Sequence, residues 1–154
     1  MKKGFLLVIV LAYLFLPVNL FSQDKAFGLG IMIGQPTGFS AKYWLNNEHA
    51  VDFGLAYSFI GGDKGFSLHS DYLYHINGFT KSNIKLPVYY GFGARIRSVD
   101  HSKTYLGARG VVGLVYMNNV APFDVFLELA PIFNLFPETS LNFDLALGLR
   151  YYFD

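Results

Sequence analysis

The chain has no cysteine, few charges and no apolar run long enough for a helix that crosses a membrane. Without cysteine there is no disulfide framework, no thiolate metal site, no cysteine nucleophile and no attachment point for an N-terminal lipid anchor. Charged residues make up 15% of the 154 residues and the formal net charge is +1. That balance gives no electrostatic basis for binding nucleic acid. Amphipathic helical stretches and low-complexity tracts are missing too. What the chain has instead is 53% hydrophobic residues, 18% aromatics and 16 glycines, a composition that excludes a disordered chain. The length suits one domain.

Residues 1–22 stand apart. Lys2 and Lys3 precede an apolar run from Gly4 to Leu16, which Pro17 interrupts. A spanning helix needs about 20 apolar residues, so the run is short for one and matches the core of a secretory signal peptide. Cleavage is expected near Ser22/Gln23, leaving 23–154 as the mature domain. Removing two lysines leaves 10 basic and 11 acidic residues.

From residue 26 onward hydrophobicity alternates with a period of two, which predicts strands. Eight runs follow: 26–34, 38–45, 49–59, 66–75, 86–97, 104–117, 123–132 and 140–153. Phe27, Leu29, Ile31 and Ile33 share one face of the first run. Leu141, Phe143, Leu145, Leu147, Leu149, Tyr151 and Phe153 share one face of the last. Short connections carry turn chemistry, as in Gln35-Pro36-Thr37, Asn46-Asn47-Glu48, Gly61-Gly62-Asp63, Asn118-Asn119 and Phe136-Pro137-Glu138. Helical crossovers need a dozen residues or more, so neighbouring strands are antiparallel. Closing an eight-stranded meander into an up-and-down barrel removes both sheet edges.

Alternation alone does not say which face points inward. Ten charges fall within the runs: Lys42, Asp52, Asp71, Arg95, Arg97, Arg109, Asp124, Glu128, Asp144 and Arg150. All share the polar parity. A lipid-facing Arg or Lys at mid-depth costs about 2–4 kcal/mol, which would enforce such a segregation. The rest of the polar face is largely Gly, Ala and Ser. Small residues with balanced charge suit the packed interior of a narrow transmembrane barrel better than a water-exposed surface. The alternative is a soluble, lipocalin-like periplasmic carrier with the apolar face lining a ligand cavity. Eight strands leave a lumen that side chains fill, so a diffusion pore is not expected.

Candidate chemistry is sparse. If Ile132 pairs with Ser140, Glu128 faces Asp144, and Arg109 on the preceding strand is the expected clamp between them. Lys42 is expected opposite Asp52 across the 46–48 turn. His69, Asp71 and His75 share a face and invite a metal reading, although His69 and His75 lie about 20 Å apart along a strand. Asp100, His101 and Ser102 supply an acid, a base and a hydroxyl, the ingredients of an acyl-transfer triad acting on outer-membrane lipid. The commoner reading of such groups is a hydrogen-bonded lumen and a polar turn. No cofactor is expected.

The last strand resembles the C-terminal signal read by the outer-membrane assembly machinery, with Gly148, Tyr151 and Phe153 at the glycine and aromatic positions. It departs from that pattern in having Ala146 before the glycine and Asp154 after the final aromatic. More widely, residues 26–153 resemble a small family of bacterial outer-membrane β-barrels of OmpA/OmpX type. The likeness is carried by Gly30 to Gly38, Lys42 to Leu45, Asp71 to His75, Tyr90 to Arg95 and Phe126 to Pro131. It implies the eight-stranded fold, an outer-membrane location and no particular reaction. The expected partners are outer-membrane lipids, the assembly machinery and an extracellular ligand not identified by the sequence. The expected state is a monomer. With both termini periplasmic, the outward connections are 35–37, 60–65, 98–103 and 133–139.

Overall fold

The structure, a computed structural model, describes residues 26–58, 64–76, 80–81, 84–99, 103–117 and 121–153. The proposed signal peptide lies outside them. Eight antiparallel strands form a closed barrel: β1 (Phe27–Gln35), β2 (Thr37–Trp44), β3 (His49–Ser58), β4 (Gly65–Ile76), β5 (Val88–Val99), β6 (Lys103–Met117), β7 (Phe123–Phe136) and β8 (Ser140–Phe153). Each strand pairs with its sequence neighbours, and β1 closes on β8 from Phe27↔Phe153 to Gln35↔Leu145. A two-stranded ribbon, Thr80–Lys81 with Ile84–Lys85, sits in the connection between β4 and β5. Closure satisfies every strand edge within the sheet, as a backbone in hydrocarbon requires.

The turns are short for local reasons. Between β1 and β2, Gly34 adopts φ +134°, a conformation open to glycine and strained for other residues. Thr37 Oγ1 accepts from the Gly34 amide at 3.1 Å and donates to the Gly34 carbonyl at 3.0 Å. Between β2 and β3, Asn46 Oδ1 accepts from the amides of Glu48 (2.9 Å) and His49 (2.8 Å). The side chain thereby reproduces a backbone turn.

One boundary differs from expectation in a way that matters. β7 continues through Asn134 to Phe136, leaving 137–139 as its connection to β8. Phe133 and Leu135 point outward and Asn134 inward, so the alternation simply runs on. Ser140 therefore pairs with Asn134, and Asp144 with Ala130. A bulge between Leu106 and Gly107 absorbs the added length on the β6 side.

The burial pattern is inverted relative to a soluble protein. Phe92 is 72% and Phe39 67% exposed, whereas Lys42, Asp124 and Arg150 have no exposed surface. Among the described residues, 32 large hydrophobic side chains face outward. The soluble-carrier alternative required the opposite facing and falls on this observation. An apolar outer belt of this extent fits lipid, not water. Near the end of the barrel that carries the termini, the belt is edged with aromatics. Tyr74 packs edge-on against Tyr90 (5.4 Å between centroids), and Tyr151 against Phe153 (5.1 Å). Such rings belong at a membrane interface.

Candidate functional site

The barrel interior holds nine of the ten charged side chains predicted on the polar face, with Arg97 the half-buried exception. They fall into three groups along the lumen.

At the terminus end, Arg150 Nε donates to Asp124 Oδ1 at 3.1 Å and its Nη1 lies 4.0 Å from Asp52 Oδ2. Tyr152 donates its hydroxyl proton to Asp124 Oδ2 at 2.5 Å, so both oxygens of that carboxylate are used. The guanidinium stacks on Phe126, 4.0 Å from the ring centroid. Phe126 in turn occupies space that only a glycine at 148 leaves free. Lys42 pairs across the sheet with Asp52, as its turn predicts. Its ammonium is 2.7 Å from His75 Nε2 and 4.3 Å from the centre of Trp44. His75 Nδ1 is 3.2 Å from the Glu48 carbonyl. A proton on Nδ1 leaves Nε2 as the acceptor for lysine, which defines the tautomer of a neutral imidazole.

In the middle, Arg109 bridges two acids on either side of it. Its Nη2 donates to Glu128 Oε1 at 2.6 Å and its Nη1 to Asp71 Oδ2. Tyr89 completes Glu128 by donating to Oε2 at 2.9 Å. The expected pairing of Glu128 with Asp144 is therefore corrected. The two-residue shift at the β7–β8 turn places Ala146 opposite Glu128, and Arg109 clamps Glu128 to Asp71. Asp71 on β4 and Arg109 on β6 both stand opposite Gly93 of β5, whose missing side chain lets them meet over the strand between them.

At the end opposite the termini, Arg95 donates to both Asp144 oxygens at 3.1 Å. Its other terminal nitrogen is 3.5 Å from Asn134 Oδ1. Asn134 donates to Ser140 Oγ and Asn142 Oδ1, each at 2.9 Å. A polar cavity of about 290 Å³ lies here, lined by Arg95, Arg97, Tyr105, Asn134, Glu138 and Asn142 among others.

The metal reading changes membership. His75 is engaged with Lys42, whereas Asp52 of β3 joins His69 and Asp71 of β4. One potential ligand atom from each lies within 4.8 Å of the others. Asp52 and Asp71 are directly opposed in the β3–β4 register, and the sequence reading missed this. A hairpin centred between Gly61 and Gly62 pairs 52 with 71, so the signal was present. The catalytic candidates Asp100, His101 and Ser102 lie outside the described residues. Gly148 is buried, while Tyr151 and Phe153 face outward.

Known proteins enter through structure alone. No known protein family and no curated protein matches the chain by sequence. The N-terminal β-barrel domain of Pseudomonas aeruginosa OprF superimposes with a TM-score of 0.61 at 15% identity, over 85% of this chain and all of that one. Neisserial surface protein A (NspA) gives a TM-score of 0.50 at 17% identity, over 86% of this chain and all of that one. The fold is that of an eight-stranded transmembrane barrel. At such identities the likeness is one of architecture, and it carries no residue roles.

Proposed function

We propose that the chain is a non-enzymatic barrel of the bacterial outer membrane, closed inside by paired charges and serving envelope integrity or surface contact. The observation that carries this reading is the inverted burial: ionic side chains paired inside, large hydrophobics outside. Arg109 and Arg150 tie the interior toward the terminus end, and the buried side chains of Tyr89, Leu73 and Phe126 pack around them, which supports a lumen closed to water there. Eight strands already set a lumen of that size.

The architecture shared with the OprF domain, and with a protein named for its place at the surface, supports the location. Export through a cleaved signal peptide, and capture by the assembly machinery through Gly148, Tyr151 and Phe153, complete the reading. The two aromatics stand on the lipid face, where a receptor can touch them before insertion. With both termini periplasmic, the polar cavity faces the exterior and becomes the natural contact point for a surface partner.

Fractionation of cells together with gel mobility of unheated and boiled samples tests this reading. The protein is expected in the outer-membrane fraction, with a folded band that shifts on boiling. Recovery in the soluble periplasm without a shift would overturn it.

A further inference from the structure

The interior holds one local conflict of charge that the pairs described above do not resolve. Its cations (Lys42, Arg95, Arg97, Arg109, Arg150) and anions (Asp52, Asp71, Asp124, Glu128, Asp144) are equal in number. Two of the carboxylates, Asp52 and Asp71, nevertheless stand directly opposite each other. Like charges directly across a strand pair repel, and burial intensifies the repulsion. Arg109 binds one oxygen of Asp71, and Arg150 stands 4.0 Å from one oxygen of Asp52. The other oxygen of each carboxylate, Oδ1, has no hydrogen-bond partner, and neither has His69 Nδ1 two residues before Asp71. All three residues are more than nine-tenths buried. A buried polar atom left unmatched costs about 1–3 kcal/mol. Arg109 Nε and Arg150 Nη2 are unmatched too, but two carboxylate oxygens and an imidazole nitrogen open on neighbouring residues are the donor set of a cation site.

The floor of the cluster is shaped for these groups. A side chain at Gly54 would collide with the His69 imidazole, and one at Gly93 would collide with Asp71 Oδ1. Both glycines sit opposite the residue they accommodate, Gly54 to His69 and Gly93 to Asp71.

We propose that Asp52, His69 and Asp71 form a divalent-cation site of the zinc class inside the barrel. One imidazole nitrogen and two carboxylate oxygens are a borderline donor set, suited to zinc or cobalt and poor for calcium or magnesium, which prefer oxygen alone. The ligand atoms lie within 4.8 Å of one another. In a tetrahedral site with zinc–ligand bonds of about 2.0–2.2 Å the ligand atoms stand about 3.3–3.6 Å apart, so the three side chains must draw together by up to about an ångström to close on the ion. The ion would neutralise the opposed carboxylates and tie β3 to β4. The site rests on interior geometry and is independent of the outer-membrane reading.

The probe is cobalt(II), offered to the full chain extracted from membranes in detergent, followed by desalting, metal analysis and visible absorption. About one cobalt per chain is expected, with a ligand-field band that zinc abolishes, because the geometry and donor set shape that spectrum. His69→Ala and Asp52→Asn are expected to lose most of the bound metal, while His75→Ala keeps it. The heat-dependent gel shift confirms that each variant is folded, and if Asp52→Asn does not fold, His69→Ala decides. No retained metal in the wild-type protein would overturn the proposal and leave a proton shared by the two aspartates as the neutralising partner. Equal retention by folded His69→Ala would overturn it as well.

Discussion

The two ends of the lumen are built from the same chemistry and packed differently. At the terminus end, Arg150, Lys42 and Asp124 have no exposed surface, and Phe126, Tyr89 and Tyr152 fill the space between them. At the opposite end, Arg95 and Asp144 form an equally direct pair, yet a polar cavity of about 290 Å³ adjoins them and Arg97 is only half-buried. The difference teaches that an ion pair in this barrel is a plug only where aromatic and aliphatic side chains exclude water around it. Where they do not, the same pair lines a vestibule. Low dielectric strengthens a matched pair and raises the cost of an unmatched charge, so the two ends respond unequally to the loss of a cation.

That inequality can be measured. The largest effect is expected for Arg150→Ala, which strands Asp124 in a dry site and removes the stack on Phe126. Losing one partner of a fully buried pair costs about 3–5 kcal/mol, to be read from urea unfolding in detergent or lipid vesicles. Arg95→Ala is expected to cost about 1–3 kcal/mol in the same assay, because water in the cavity can solvate Asp144. Equal losses at the two sites would break the comparison. A cost for Arg95→Ala that grows when a bulky side chain replaces Asn142 on the cavity wall would sharpen it.

The strands and their facing were legible in the sequence because a period of two is a local property. Phe39 and Phe92 lie outside and Lys42 and Arg150 inside, as parity predicted. The register of β7 against β8 was not. Phe133 to Phe136 reads as a connection when Pro137 is taken as the end of a loop, and it is in fact strand up to the proline. Four residues of added strand, and the two-residue register shift that comes with them, turned the predicted Glu128–Asp144 pair into two separate pairs. The Arg109–Asp71 contact spans the intervening β5 at Gly93, so it needs two strand registers at once and does not follow from any single turn. Asp52 beside Asp71 was legible from the symmetry of the Gly61-Gly62 hairpin. The metal reading from His69, Asp71 and His75 took its groups from one strand, and the carboxylate that joins His69 and Asp71 lies on the next.

The central claim is that the terminus-end plug closes the barrel, and conductance across a planar lipid bilayer tests it most directly. Wild-type protein, inserted and shown folded by its gel shift, is expected to give no steady open channel. A persistent ohmic conductance from that folded protein would contradict the claim, because ions would then be crossing the layer of Arg150, Asp124, Phe126 and Tyr89.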